Sequence, residues 1–186
     1  VPPSPITNNP VDLAYNGDDN ELYILVDGKG GDVLVAVNPT SGSVLTDSAG
    51  AQRFYTLDTE DSSSAAYLNG KIYIVSEERG MMGMGGPPPQ RVTVLDTAFA
   101  VQAESGFNLG TNNGRVSGLA SDGTRLIGTA EWGGPRVDMY DPNGGNKQKE
   151  VHFWHPTNMG WMEEDFGDVA YSTTTPMYFL AKYGNV

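Results

Sequence analysis

Ser64-Ala65-Ala66-Tyr67-Leu68 runs into Asn69-Gly70 and out again as Lys71-Ile72-Tyr73-Ile74-Val75. Two runs rich in β-branched, aromatic and small apolar residues, joined by Asn-Gly, are what a tight antiparallel hairpin requires. The turn needs residues that accept a left-handed backbone, and the strands need side chains that suit a pleated surface. After a loop, Arg91-Val92-Thr93-Val94-Leu95 supplies another strand, ending at Asp96-Thr97-Ala98.

The same order occurs on both sides of this segment. Upstream lie Val11 to Tyr15, the turn Asn16-Gly17-Asp18-Asp19-Asn20, Leu22 to Val26, and Val33 to Val37, closed by Asn38-Pro39-Thr40-Ser41-Gly42. Ser43 to Leu45, or Gln52 to Leu57, offers an outer strand. Downstream, Val116 to Ala120, the turn Asp122-Gly123-Thr124, Arg125 to Thr129, and Arg136 to Tyr140 form a third copy. A weaker fourth copy has Gly160-Trp161-Met162, a turn at Phe166-Gly167-Asp168, Val169 to Ser172, and Met177 to Leu180.

The turn glycines Gly17, Gly70, Gly123 and Gly167 are 53, 53 and 44 residues apart. Helical spacing sustained over three turns occurs nowhere. A four-strand unit at this period predicts an all-β fold of β-propeller blades, about four of them with the last incomplete. One blade cannot bury both of its faces, so neighbours stacked around an axis cover each other. A β-sandwich would account for short strands but not for their recurring order. The expected division is a Pro-rich arm over 1–10 and blades over roughly 11–60, 61–110, 111–157 and 158–186.

Leu22 to Leu45, Lys71 to Val101 and Arg125 to Asn143 each resemble one repeat of the YVTN, PQQ-type and NHL-like propeller superfamily. Those repeats commonly run from a Gly-containing turn through an apolar-aromatic strand to a second strand ending in Asp and small residues. The resemblance covers most of the chain and implies a propeller scaffold. It carries over no catalytic residue. The tryptophan-docking signature of quinone-binding blades is absent, so no quinone cofactor is implied.

The fourth copy reaches Tyr183-Gly184-Asn185-Val186 without an outer strand, and an unfinished blade exposes unpaired backbone. The expected remedies, in order, are membership of a larger propeller, completion by a second copy through strand addition, and completion by the segment up to Ile6. The start at Val1 rather than Met fits a processed end or an excerpt.

Composition narrows the partners. Of 186 residues 38% are apolar, while Gly 24 and Pro 12 favour turns over long helices. A net charge of −12 repels nucleic-acid phosphates and anionic lipid heads, so neither nucleic acid nor membrane insertion is expected. No run of 18 apolar residues exists. The lack of cysteine excludes disulfides, thiolate metal ligands and cysteine nucleophiles. Frequent Asn, Thr, Ser and Tyr with few Lys suit an extracellular or cell-surface protein.

Several clusters could carry chemistry. Asp18, Asp19 and Glu21 crowd one turn, and Asp27 and Asp32 flank Gly28-Lys29-Gly30-Gly31. Clustered carboxylates are candidate calcium ligands, although Asp and Asn are also ordinary turn residues. His152 and His155 with Glu163, Glu164 and Asp165 suggest zinc, yet positions three apart on a strand face opposite ways.

Met81-Met82-Gly83-Met84-Gly85-Gly86-Pro87-Pro88-Pro89 offers soft thioethers for copper or an adaptable apolar surface for a protein partner, and the second is preferred. Glu131 and Trp132 match Glu77 and Glu78 on the preceding repeat. With Asp27, Met81, Met82 and Met84 they form an expected recognition rim.

No G-x-S-x-G elbow or phosphate-cradling loop occurs. The expectation is a non-catalytic extracellular propeller for protein binding, self-association or assembly. Alternatives are a lactonase-like metal-dependent hydrolase with calcium on the axis, and a carbohydrate-binding module stacking sugars on Trp132 and Trp154.

Overall fold

The computed structural model describes residues 9–28, 31–58, 62–77, 90–109, 116–130, 136–152, 166–172 and 174–182. Among these residues there is no helix, and the strands form four separate antiparallel sheets. The first contains β1 (Pro10–Asn16), β2 (Glu21–Val26), β3 (Val33–Val37) and β4 (Phe54–Thr56). The second contains β5 (Ser62–Leu68), β6 (Lys71–Glu77) and β7 (Gln90–Asp96). β8 (Val116–Ser121), β9 (Leu126–Ala130), β10 (Arg136–Tyr140) and β11 (Lys147–His152) make the third, and β12 (Phe166–Ser172) and β13 (Met177–Lys182) the fourth.

Within every sheet, consecutive strands are hydrogen-bonded neighbours. Both outer-strand candidates of the first sheet contribute: Val44 bridges to Val37, and Phe54–Thr56 pairs with Val33–Val35. The second sheet has an irregular outer edge, where Val101 and Asn108 bridge to Leu95 and Arg91. Between them the Oγ of Ser105 takes the place of a backbone carbonyl, accepting from the amide of Val94 at 2.9 Å.

The sheets stack face to face through their first strands, with β1 on β5, β5 on β8, and β8 on β12. Alternation along each strand then sends successive side chains to different neighbours. Ala65 faces the first sheet in a core with Ala14, Tyr23 and Ile72. Ala66 and Leu68 face the third, in a core with Leu119, Leu126 and Tyr140. Ile127, Val137 and Met139 meet Val169 between the third and fourth sheets. Middle strands such as Leu22 to Val26 and Ile72 to Val75 therefore read as continuous apolar runs, because both of their faces need cover. Among the described strands the succession is open, with no comparable packing from β12 back to β1.

One expectation is corrected. Phe166-Gly167-Asp168 is not a turn but the start of β12, and the hairpin turn of the fourth sheet lies at Thr174–Pro176. The repeat is accordingly more regular than the glycines implied.

Candidate interaction site

Register places Pro10, Ser62, Val116 and Phe166 at equivalent points on the first strands, paired with Val26, Ser76, Ala130 and Lys182. A register shift follows each of them, and the next paired residues are Asp12, Ser64, Gly118 and Asp168. These four positions are 52, 54 and 50 residues apart, and each is followed by an apolar residue and an alanine: Asp12-Leu13-Ala14, Ser64-Ala65-Ala66, Gly118-Leu119-Ala120 and Asp168-Val169-Ala170. The small alanine suits the narrow space where first strands converge.

The side chain at this position latches the first sheet to the second and the second to the third. Asp12 Oδ2 accepts the amide of Ala65 at 2.8 Å and also the hydroxyl of Ser64. One sheet further on, Ser64 Oγ accepts the amide of Leu119 at 2.6 Å. Ala65 and Leu119 occupy the same register, so the two bonds are one device used twice. At the third sheet the device stops, because Gly118 has no side chain. The amide of Val169 instead donates to its own neighbour, Asp168 Oδ1, at 2.6 Å. The amide of Leu13 does the same with Asp12 Oδ1 at 2.7 Å.

A second set of bonds clamps the ends of the same strands. Asp32 Oδ2 accepts the amide of Ser62 at 2.6 Å. Gln90, at the equivalent place, accepts the amide of Val116 at 2.6 Å and donates to its carbonyl at 2.9 Å. The corresponding residue on the first sheet is Pro10, which has no amide hydrogen to offer.

Burial and proximity perturb the carboxyls along this line. Burial, opposed by the hydrogen bonds from Ser64 and Ala65 and assisted by the charge of Asp168, pushes Asp12 up to about 6. Asp168 is also raised by loss of water, its Oδ1 end lying against the β8 backbone at Gly118. The first strands thus present carboxylates at two of the four equivalent points, with a hydroxyl and a glycine at the others. A calcium site fed by one acid from every blade is not assembled at this level.

The expected calcium ligands have other partners. Asp18 Oδ2 accepts from the hydroxyl of Tyr67 at 2.9 Å, and Asp19 Oδ2 from the amide side chain of Asn16 at 3.1 Å. Glu21 is gripped by both Nη atoms of Arg53, at 2.6 and 3.1 Å. Arg53 also donates to the carbonyl of Thr97 at 2.5 Å and lies over the ring of Phe99, 5.6 Å from its centre. This cluster joins the first two sheets, and it includes Tyr23, whose hydroxyl is pushed up to about 12 by burial. Among the described residues, no group of three or more His, Asp or Glu is placed to hold a metal.

Asp27 is exposed just beyond β2, and Glu77 ends β6 at the equivalent point of the second sheet. Glu78, Met81, Met82, Met84, Glu131 and Trp132 lie outside the described residues, as do His155, Trp154 and Trp161. His152 is exposed on β11 and pairs with Glu150, whose carboxyl Lys147 and then His152 hold down to about 2. Asp138 is buried with Arg136 (3.2 Å) and Tyr140 (3.3 Å), all on its Oδ2.

Among the described residues, two sheet faces expose large apolar side chains. On the outer face of the first sheet, Leu13 and Tyr15 are each 55% exposed and Val11 is exposed as well. On the same face, Leu22, Ile24 and Val33 are partly buried, while Val26, Val35 and Val37 are fully covered. The outer face of the fourth sheet carries Phe179, 56% exposed, with Met177. These are the faces that, on interior sheets, a neighbour covers.

The arrangement is similar to that of a solved structure. BamB from Moraxella catarrhalis, a β-propeller, aligns over 95% of this chain with a TM-score of 0.50 at 13% identity. The four sheets are β-propeller blades. The chain spans 48% of that BamB chain. AztD from Citrobacter koseri aligns over 94% of this chain and 41% of its own, at 8% identity and a TM-score of 0.45. No protein-family profile matches the sequence, and no curated protein matches it.

For the propeller, sequence reading missed Asp12, Ser64 and Gly118. Their signal is the recurring apolar-Ala pair after each of them, which aligns the blades better than the turn glycines do.

Proposed function

We propose that this propeller module is non-catalytic and acts outside the cell or at its surface by holding protein against the outer face of its first blade. The observation that carries this reading is the size and chemistry of that face. Val11, Leu13 and Tyr15 stand exposed along β1, beside the partly buried Leu22 and Ile24 on the same face of the sheet. Contiguous apolar surface of this kind marks a binding face, because water contact with it is costly. The acidic charge of −12 keeps the remainder of the surface soluble. Asn, Thr, Ser and Tyr in place of Lys support the extracellular setting.

The test uses the full chain and the dye 1-anilinonaphthalene-8-sulfonate, with hydroxyl-radical footprinting of Tyr15. The expected result is either dye fluorescence that Leu13→Arg abolishes, or protection of Tyr15 that grows with protein concentration. A face that binds no dye and has a constant footprint at every concentration is already covered within the chain. That result overturns the reading.

A further inference from the structure

We propose that Asn143 is a site of covalent self-modification, where the chain turns a side-chain amide into a carboxylate and so loosens the contact between its second and third blades. The Gly144 amide nitrogen attacks the side-chain carbonyl carbon of Asn143. A C–N bond closes a succinimide ring, the bond from that carbon to Nδ2 breaks, and Nδ2 leaves as ammonia with the Gly144 amide proton. Water then adds to either ring carbonyl, its hydroxyl going to carbon and its proton to the departing nitrogen. One opening gives aspartate, and the other gives isoaspartate, whose main chain runs through the former side chain.

Three Asn-Gly pairs lie among the described residues, and the structure separates them. Asn16 is buried, and its Oδ1 accepts the amides of Asp18 and Asp19 at 3.0 and 3.3 Å. Its Nδ2 donates to Asp19 Oδ2 at 3.1 Å and to the Tyr23 hydroxyl at 3.2 Å, so neither end is free to leave. Asn69, with φ at 50°, sits in the two-residue link between Leu68 and Lys71. There the attacking nitrogen is engaged, since Gly70 donates to the Tyr67 hydroxyl at 3.1 Å.

Asn143 has neither restraint. It is exposed, and among the described residues its side chain makes no hydrogen bond. The bonds of its loop pass around the reacting pair. Asn143 donates its own amide to Asp141 Oδ1, Gly145 donates to the Asp141 carbonyl, and Asp141 donates to the Asn146 carbonyl, each at 2.9 Å. The Gly144 amide takes part in none of them. The matching loops of the first two blades are bracketed in the same way, from Asn38 to Ser43 and from Asp96 to Ala100, but hold no Asn-Gly pair. Asn38 precedes Pro39, which has no amide hydrogen.

The consequence follows from Gly145. It is buried, and a Cβ there would stand 2.6 Å from both the Asn108 carbonyl oxygen and the Phe107 ring. The loop therefore backs closely onto the outer edge of the second blade. Isoaspartate adds a methylene to the main chain two residues earlier, and a loop longer by one carbon loses that fit.

The experiment holds the full chain at mildly alkaline pH in water enriched with heavy oxygen and follows tryptic peptides by mass spectrometry. Asn16, Asn69 and Asn143 fall on different peptides, as does Asn113 of a further Asn-Gly pair outside the described residues. The Asn143 peptide should take up one heavy oxygen and split into aspartate and isoaspartate forms. It should do so about tenfold faster than those of Asn16 and Asn69, the rate equivalent of one net hydrogen bond that must first break. In urea the three rates should converge. Gly144→Val has room, since the nearest atom to a Cβ is Asn146 Nδ2 at 3.7 Å and φ is outside the left-handed region. Its branched side chain crowds the nitrogen and should slow the reaction about tenfold. In the isoaspartate form, amide exchange should quicken in β10 and β11 while β1 to β4 keep their protection.

Equal rates at the three sites in the folded chain would overturn the assignment. So would aspartate as the sole product, which means direct hydrolysis without a ring, or an unchanged rate in Gly144→Val. Unaltered exchange in β10 and β11 would overturn the effect on the blade contact.

Discussion

Gly118 meets Asp168 so closely that a Cβ at position 118 would stand 2.4 Å from the Asp168 Cα and 2.6 Å from its Oδ1. The nearest obstacle is backbone, which cannot rotate aside. The third and fourth blades approach to this distance only because position 118 lacks a side chain.

Gly118→Ala should therefore force the two blades apart and destabilise the fold by about 3 kcal/mol, the upper range for overpacking. Amide hydrogen exchange should localise the loss to β12 and β13 ahead of β1 to β7. Uniform exchange across the four blades would contradict this placement.

Ser64 joins three blades through one hydroxyl, accepting from Leu119 and donating to Asp12. Ser64→Ala leaves the buried amide of Leu119 without its acceptor and takes one of the donors from the Asp12 carboxyl. A loss of about 2 kcal/mol is expected in urea unfolding. Ser64→Thr, which keeps the hydroxyl, should recover part of it unless its added methyl clashes with the third blade.

Asp12 makes stability depend on pH. Its folded carboxyl is raised to about 6 from an ordinary 3.8, so between those values the folded chain binds more protons than the unfolded one. Stability from this group is greatest at low pH and falls as pH rises through that window. Asp12→Asn removes the ionisation. The variant should gain on the parent between pH 4 and pH 7 by on the order of 2 kcal/mol in thermal melts compared at each pH. A difference that stays constant with pH would refute the assignment.

Arg53 is the other joint between the first two blades, with two bonds to Glu21 and one to the Thr97 carbonyl. Arg53→Met keeps much of the packing on Phe99 but strands a half-buried carboxylate, and a loss of about 2 kcal/mol is expected. Arg53→Lys should recover little, because an ammonium cannot reproduce the two-pronged grip. Glu21→Gln with Arg53→Met should cost less than the two single changes summed.

The middle strands were legible in sequence because sheets covered on both faces need unbroken apolar runs, as in Leu22 to Val26 and Ile72 to Val75. β11 was not. Its residues Lys147 to Val151 are mostly exposed and polar, so an outer strand of this kind leaves no alternation to read. Gly167 misled for a different reason: glycine serves inside β12 as well as in turns.

The joints were the least visible part. Asp12 looks like any polar residue in an alternating strand, and Glu21 looks like a turn carboxylate until Arg53, 32 residues later, is found beside it. The rim formed by Asp27, Glu77 and the loops beyond them was reasoned from blade equivalence, and most of its residues fall outside the described chain.

The recurring offset between a latch side chain and the amide it reaches bears on how such a protein can change its length. A duplicated stretch of about fifty residues arrives with its own connector, already aimed at the correct atom of whatever copy follows. Growth by tandem copying then requires no newly evolved contact surface. Where a copy carries glycine at the connector position, as at 118, closer backbone approach takes the place of the latch.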